Sequence, residues 1–229
     1  MKFPILLPGR KESAYGWRYL AFETVFLGYF LSLAIQFFSL PLGSTELNLI
    51  FFCLNFVVAV ILFRHFLHST VLVAVKRIPV ILITAIIGFF VYNALTTLVS
   101  IAIVAIEPTF YNVNNENLSV ISQQYYALTA VCTVILVPVA EELFHRGAIF
   151  GGLYQRSRLA AYLVSTLVFA LVHITGYVGY FAPKTLLLCY LQYIPAGLCL
   201  AACYDLTGCI VTPILLHAAI NAVGILAMR

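Results

Sequence analysis

The chain alternates long apolar runs with short polar strips. Seven runs read as membrane spans: 19–41, 47–63, 78–106, 124–140 with a continuation, 159–175, 185–203 and 209–227. A helix needs about 20 residues to cross a hydrocarbon core of about 30 Å, and these runs approach or exceed that length. They are continuously apolar, not alternating, which excludes a thin transmembrane β-barrel. The strip from Arg64 to Arg77 has basic ends and an apolar middle, Phe66 to Val75. It is expected to lie at the membrane interface or to belong to an eighth helix. The predicted fold is all-α, a polytopic transmembrane helical bundle of about 7–8 helices. Residues 1–229 are expected to form a single transmembrane domain, because no low-complexity linker or internal repeat divides them.

Composition narrows the class. Apolar and aromatic residues make up 63% of the 229, and charged residues only 9%, against about 25% in an average soluble domain. Twelve basic and eight acidic residues cannot coat a soluble globule or form a nucleic-acid surface. The expected partners are membrane lipids. The net charge of +4 is better read as orientation. Lys2, Arg10, Lys11 and Arg18 precede or open the first run, Arg64, Lys76 and Arg77 mark the second loop, and Arg156 and Arg158 the fourth. The intervening loops carry Glu46, then Glu107 and Glu116, then only Lys184. The positive-inside rule then puts the N-terminus in the cytoplasm. No small-residue cleavage site follows the first run, which is expected to be a retained helix. Six cysteines, Cys53, Cys132, Cys189, Cys199, Cys203 and Cys209, form no CxxC pair and read as small buried hydrophobes.

The informative residues are polar ones inside apolar runs, where a charge costs about 2.5–3.5 kcal/mol on insertion scales. Glu141, Glu142, His145 and Arg146 interrupt one run, His173 another, and His217 and Asn221 a third. Helical spacing organises them. Glu142 and Arg146 are four apart and can pair on one face. Glu141 is turned about 100° away and is left to face a cavity. Phe169 and His173, and His217 and Asn221, repeat the four-residue spacing. Glu141 lies 15 residues before Arg156, and His173 lies 15 after Arg158. At about 1.5 Å per residue, an antiparallel hairpin centred near Ser157 brings the two level. His217 and Asn221, counted from a turn at Gly208, fall in a nearby layer, and Pro138 is expected to loosen the backbone before the glutamates.

Glu141-Glu142-x-x-x-Arg146, Phe169-x-x-x-His173 and His217-x-x-x-Asn221 resemble, in order and spacing, the three motifs of the CPBP family. That family joins CAAX proteases and bacteriocin-processing enzymes and is also called Abi. The motif-bearing core is about 124–229, and the stretch from Gly197 to Asn221 is similar to the family's closing helices. His145 departs from the pattern, since the position before the arginine is commonly aromatic.

The resemblance implies an intramembrane endopeptidase that hydrolyses a peptide bond of a membrane-presented substrate with a glutamate-activated water. It implies Glu141 as general base, His173 as its helper on the water, and His217 and Asn221 as stabilisers of the oxyanion. Glu142 and Arg146 are implied as a supporting pair. The implied substrate is a peptide or a prenylated peptide. A short chain without a targeting signal suggests a bacterial plasma membrane, where bacteriocin processing or immunity is the expected setting. No cofactor is expected. Zinc held by Glu141, His173 and His217 is the alternative, against which stands the lack of HExxH spacing. A non-catalytic immunity or sensor-kinase regulatory protein of the same fold is the alternative function, and a small transporter with a carboxylate relay is a third. In those readings the same polar groups are structural. His65 and His68 read as interfacial, Ser165 and Thr166 as bonded within their helix, and Glu23 as an acid without an assigned role.

Overall fold

A computed structural model of the chain describes residues 3–229, except the side chain of Ile35. Lys2, counted above among the N-terminal cations, lies outside the described residues. Among the described residues, eight helices follow one another. Helix α1 runs continuously through Arg10–Phe22, Glu23–Leu27 and Gly28–Phe37, and is followed by α2 (Ser44–Leu62), α3 (Arg64–Val75) and α4 (Ile78–Ile106). Helix α5 is Val113–Tyr154, α6 is Arg158–Thr175, α7 is Pro183–Thr207 and α8 is Val211–Ala227. The described residues contain no strand beyond one isolated bridge at Val178. Five helices, α2, α4, α5, α6 and α7, are long and apolar enough to cross a membrane, while apolar α8 has 17 residues. The fold is therefore the all-α membrane bundle, and the strip from Arg64 to Val75 is a helix of its own.

Two boundaries differ from the hydropathy reading because polar caps extend helices beyond their apolar runs. Helix α1 starts at Arg10, where the Gly9 N–H donates to Glu12 Oε2 at 2.9 Å. Helix α5 starts at Val113, where Asn112 Oδ1 accepts from the N–H groups of Asn114 and Asn115 at 3.0 and 3.1 Å. Such caps satisfy donors that the first turn leaves open. Helix α5 is thereby 42 residues long, bent at Tyr125, where φ is −136° and ψ is 57°.

The basic turns gather at one end of the bundle and are bonded shut. Arg77 Nη1 donates to Thr207 O at 2.7 Å and to Pro4 O at 3.2 Å, and Leu6 N–H donates to Gly208 O at 3.0 Å. The Tyr204 hydroxyl donates to Leu6 O. Buried Asp205 accepts from the Tyr154 and Tyr162 hydroxyls at 2.7 and 3.0 Å and from Arg158 Nε at 2.7 Å. It fastens the α5–α6 turn to the end of α7. Gly208 closes α7 at φ 62°, and a Cβ there would lie 2.3 Å from Pro4 O. Above this end sits a core of Phe63, Phe144, Phe150 and Tyr204. Small residues let the helices approach, as in other membrane bundles: a Cβ on Gly16 would meet Ala148 at 2.7 Å, and one on Gly197 would meet Thr166 at 2.8 Å.

Candidate active site

The site starts from a defect in α5. Pro138 has no N–H to give the preceding turn. Over Cys132–Leu136 the helix widens to i→i+5 bonding, and Val137 N–H reaches Cys132 O. In that register the next carbonyl, Thr133 O, would take the N–H that Pro138 lacks. Asn221 Nδ2 on α8 donates to it at 2.8 Å. The wide turn is thus stabilised by a side chain 88 residues away. A second wide stretch, Leu143–Phe150, follows the two glutamates. Wide turns of this kind are frequent at functional sites.

Glu142 and Arg146 are both fully buried, and Arg146 Nη1 donates to Glu142 Oε1 at 3.2 Å. The guanidinium also donates to Gly197 O at 3.0 Å and lies 4.7 Å from the Phe169 ring centroid. Its charge is therefore met by a carboxylate, a carbonyl and a ring face. Glu142 Oε1 has a second partner that spacing alone did not suggest, His217 Nδ1 at 2.8 Å. Glu142 Oε1 thus ties α5 to α8, while Arg146, bonded to the same oxygen, ties α5 to α7.

Glu141 lies on the neighbouring face and lines a cavity. Its Oε2 is 3.9 Å from His173 Nε2 and 3.9 Å from His217 Nε2. His173 Nδ1 is 2.7 Å from Phe169 O, an acceptor, so Nδ1 carries the hydrogen and, in the neutral ring, Nε2 presents a lone pair. His217 is fixed the same way by Glu142. Two imidazoles and a carboxylate therefore turn electron pairs toward one point. Such a group is stable only when it shares at least one proton or binds a donor such as water. The Tyr193 ring stacks on His173 at 4.1 Å between centroids. Tyr193 is itself anchored, since Asn114 Nδ2 donates to its hydroxyl at 3.0 Å and the hydroxyl donates to Asn112 Oδ1 at 3.2 Å.

The structure therefore brings Glu141, His173 and His217 together and backs them with Glu142 and Arg146. Asn221 lines the same cavity, with one amide hydrogen committed to Thr133 O. His145 is buried and turned away from the group, its Nδ1 2.8 Å from Glu141 O and its ring 5.2 Å from that of Phe169. The cavity measures about 960 Å³ and also holds Glu23. Asn55 Nδ2 donates to Glu23 Oε2 at 2.8 Å, and the Tyr19 hydroxyl donates to Asn55 Oδ1 at 2.6 Å. This relay gives the unassigned acid its place. Tyr193 and Asn55 were not singled out from sequence. A tyrosine among 14 and an asparagine in an apolar run carry no motif, although Asn55 interrupts its span as His173 does.

The donor set bears on zinc. Ligands at about 2.0–2.1 Å around a tetrahedral ion stand roughly 3.4 Å apart, whereas Glu141 Oε2 is 3.9 Å from each Nε2. Among the described residues, no group of three or more His, Cys, Asp or Glu is arranged to hold a metal ion. As placed, these residues do not fit zinc.

Residues 123–223 match the family model described as type II CAAX prenyl endopeptidase Rce1-like. The match covers all three motifs and is the family to which they point, so the motif-bearing part of this chain is Rce1-like. The chain finds no significant match among curated proteins or solved structures. Its long apolar helices, together with the similarity of residues 123–223 to a family of membrane proteases, make it an integral membrane protein.

Proposed function

We propose that this Rce1-like chain is an intramembrane peptidase of the glutamic type, working without a metal. The observation that carries the reading is the convergence of two imidazoles, from α6 and α8, on Glu141 Oε2 at equal distances of 3.9 Å. That separation is too long for a direct hydrogen bond and suits one water shared between the groups. Glu141 takes a proton from the water as its oxygen attacks the peptide carbonyl, with His173 Nε2 accepting the water's other hydrogen. A protonated His217 keeps its Nδ1–H on Glu142 and turns an Nε2–H to the oxyanion, and the second amide hydrogen of Asn221 adds a donor. The intermediate then collapses, the C–N bond breaks, and Glu141 returns its proton to the leaving amine.

Purified protein in vesicles, given candidate membrane-anchored peptides, tests the reading. Glu141→Gln and His173→Ala are each expected to lose about 10²–10⁴-fold in rate, the usual share of general-base catalysis. Full cleavage by both variants rules the assignment out. Activity is expected to survive a zinc chelator. Loss on chelation and return with added zinc would replace the water mechanism with a metal one.

A further inference from the structure

Where the cavity opens decides which peptides can reach Glu141. Its lining includes Asn112 and Asn117 at the start of α5, Tyr177 and Tyr180 after α6, and Gly224 and Met228 at the end of α8. It ends inward at Glu141, His217 and Leu200. None of its lining comes from the turns at 62–64, 76–77, 154–158 or 205–211, which belong to the basic end. That end is sealed by the segment carrying Pro4 and Leu6 and by the Arg77 and Asp205 contacts. The cavity therefore has its mouth at the opposite end.

Charge is sorted between the same two ends. Apart from buried Arg146, the described lysines and arginines lie at the sealed end, except Lys184 and Arg229. Lys184 Nζ is spent on Glu107 Oε2 at 2.6 Å. With Thr109, it holds the Glu107 carboxyl below the usual carboxylate range. Retained cations face the cytoplasm, so the sealed end is cytoplasmic and the mouth faces away from it. The mouth is lined by side-chain amides and phenols, and the whole lining contains no lysine or arginine. Amides both donate and accept, as a peptide backbone requires. No cation lines the cavity to take a lipid phosphate or a C-terminal carboxylate, and Arg229, next to Met228, lies over the Tyr126 ring at 5.8 Å from its centroid.

We infer that the substrate is a peptide segment of an exported, membrane-anchored protein, which enters the cavity from the non-cytoplasmic face and is cut at an internal bond. This rests on the peptidase reading for the cut and on the geometry alone for the side of entry. A prenylated C-terminus displayed in the cytoplasm meets the sealed end instead.

Sidedness is read by cysteine labelling in a Cys53→Ser background, since the other five cysteines are buried. Tyr180→Cys, at the mouth, is expected to react with a membrane-impermeant maleimide in intact cells. Arg156→Cys, at the sealed end, is expected to react only after permeabilisation. The reverse pattern, or labelling of both from one side, overturns the inference. Labelling needs no cleavage, so its outcome is independent of whether Glu141→Gln abolishes hydrolysis. A randomised peptide segment fused behind an anchor helix, presented on either face, reads the substrate side. Cleavage of the outward fusion, at bonds inside the segment, is expected. Cleavage confined to the cytoplasmic fusion, or to its C-terminus, overturns the inference.

Discussion

Glu141 and Glu142 are adjacent in sequence and opposite in environment, so the same substitution should act differently on each. Glu142 Oε1 is bonded to both Arg146 and His217, and all three side chains are buried. Glu142→Gln strands a guanidinium in the core and is expected to cost about 3–5 kcal/mol, the usual effect of breaking one side of a buried pair. Glu141 Oε2 has no hydrogen-bond partner within the chain, so Glu141→Gln should leave the unfolding midpoint nearly unchanged while cleavage is lost. Denaturant unfolding in detergent checks both, and equal destabilisation would show that Glu141 also supports the fold. The pairing of Glu142 with Arg146 was legible because helical periodicity puts residues four apart on one face. The bond from His217 to Glu142 was not, because it joins residues 75 apart and depends on how α8 rotates against α5. Tyr193 was hidden for the same reason, as its stacking partner lies on another helix.

At the scale of the helix, Pro138 and Asn221 form one device. The proline creates a carbonyl without a donor, and the asparagine supplies the donor from α8. Asn221→Ala should therefore destabilise the wild-type chain more than the Pro138→Ala chain, in which residue 138 regains an N–H. A double-mutant cycle on unfolding free energy is expected to give a coupling of about 1 kcal/mol, the net worth of one hydrogen bond. Zero coupling would separate the two residues. The sequence announced a loosened backbone at Pro138 but not its remedy, since a missing donor does not name the group that replaces it. Gly197 is a second junction. Its carbonyl accepts from Arg146, and a Cβ would stand 3.1 Å from Thr166 Cα and 3.2 Å from Thr166 O. Gly197→Ala must push α7 from α6 against backbone that cannot yield by rotating a side chain. It should cost about 1–3 kcal/mol, as overpacking does, and lower cleavage through Arg146, measured as unfolding midpoint and rate on the same preparation.

Over the whole molecule, residue counting placed Glu141 and His173 level because the α5–α6 hairpin is antiparallel and turns at 155–157. The count survived although the wide stretch Leu143–Phe150 lies in the α5 arm alone, because the side chains of Glu141 and His173 span the small difference in rise. It could not give the cavity's mouth, which depends on where α5 begins and on what covers each end. The cover at the basic end is the N-terminal segment, and its hydrogen bonds are made to residues outside the cavity lining. Leu6 bonds Gly208 and Tyr204, and Pro4 accepts from Arg77. Removing residues 1–8 deletes those bonds and exposes the Arg77 and Gly208 groups that made them, yet touches none of the cavity lining. The truncated chain should unfold at lower temperature by the equivalent of about 2–3 kcal/mol, from the loss of a few hydrogen bonds of about 1 kcal/mol each. Cleavage per folded molecule should stay as in the full chain. Gly208→Ala tests the same seal from the other side. In the full chain the new Cβ meets Pro4 O, Arg77 Nη1 and a left-handed backbone at once. In the truncated chain the rigid Pro4 contact is gone, and there remain the backbone strain, about 1–2 kcal/mol, and the end of the Arg77 side chain, which can move aside. The substitution should therefore cost less after truncation, read as the difference between the two unfolding free energies. An equal cost in both chains would mean that the segment does not rest on Gly208.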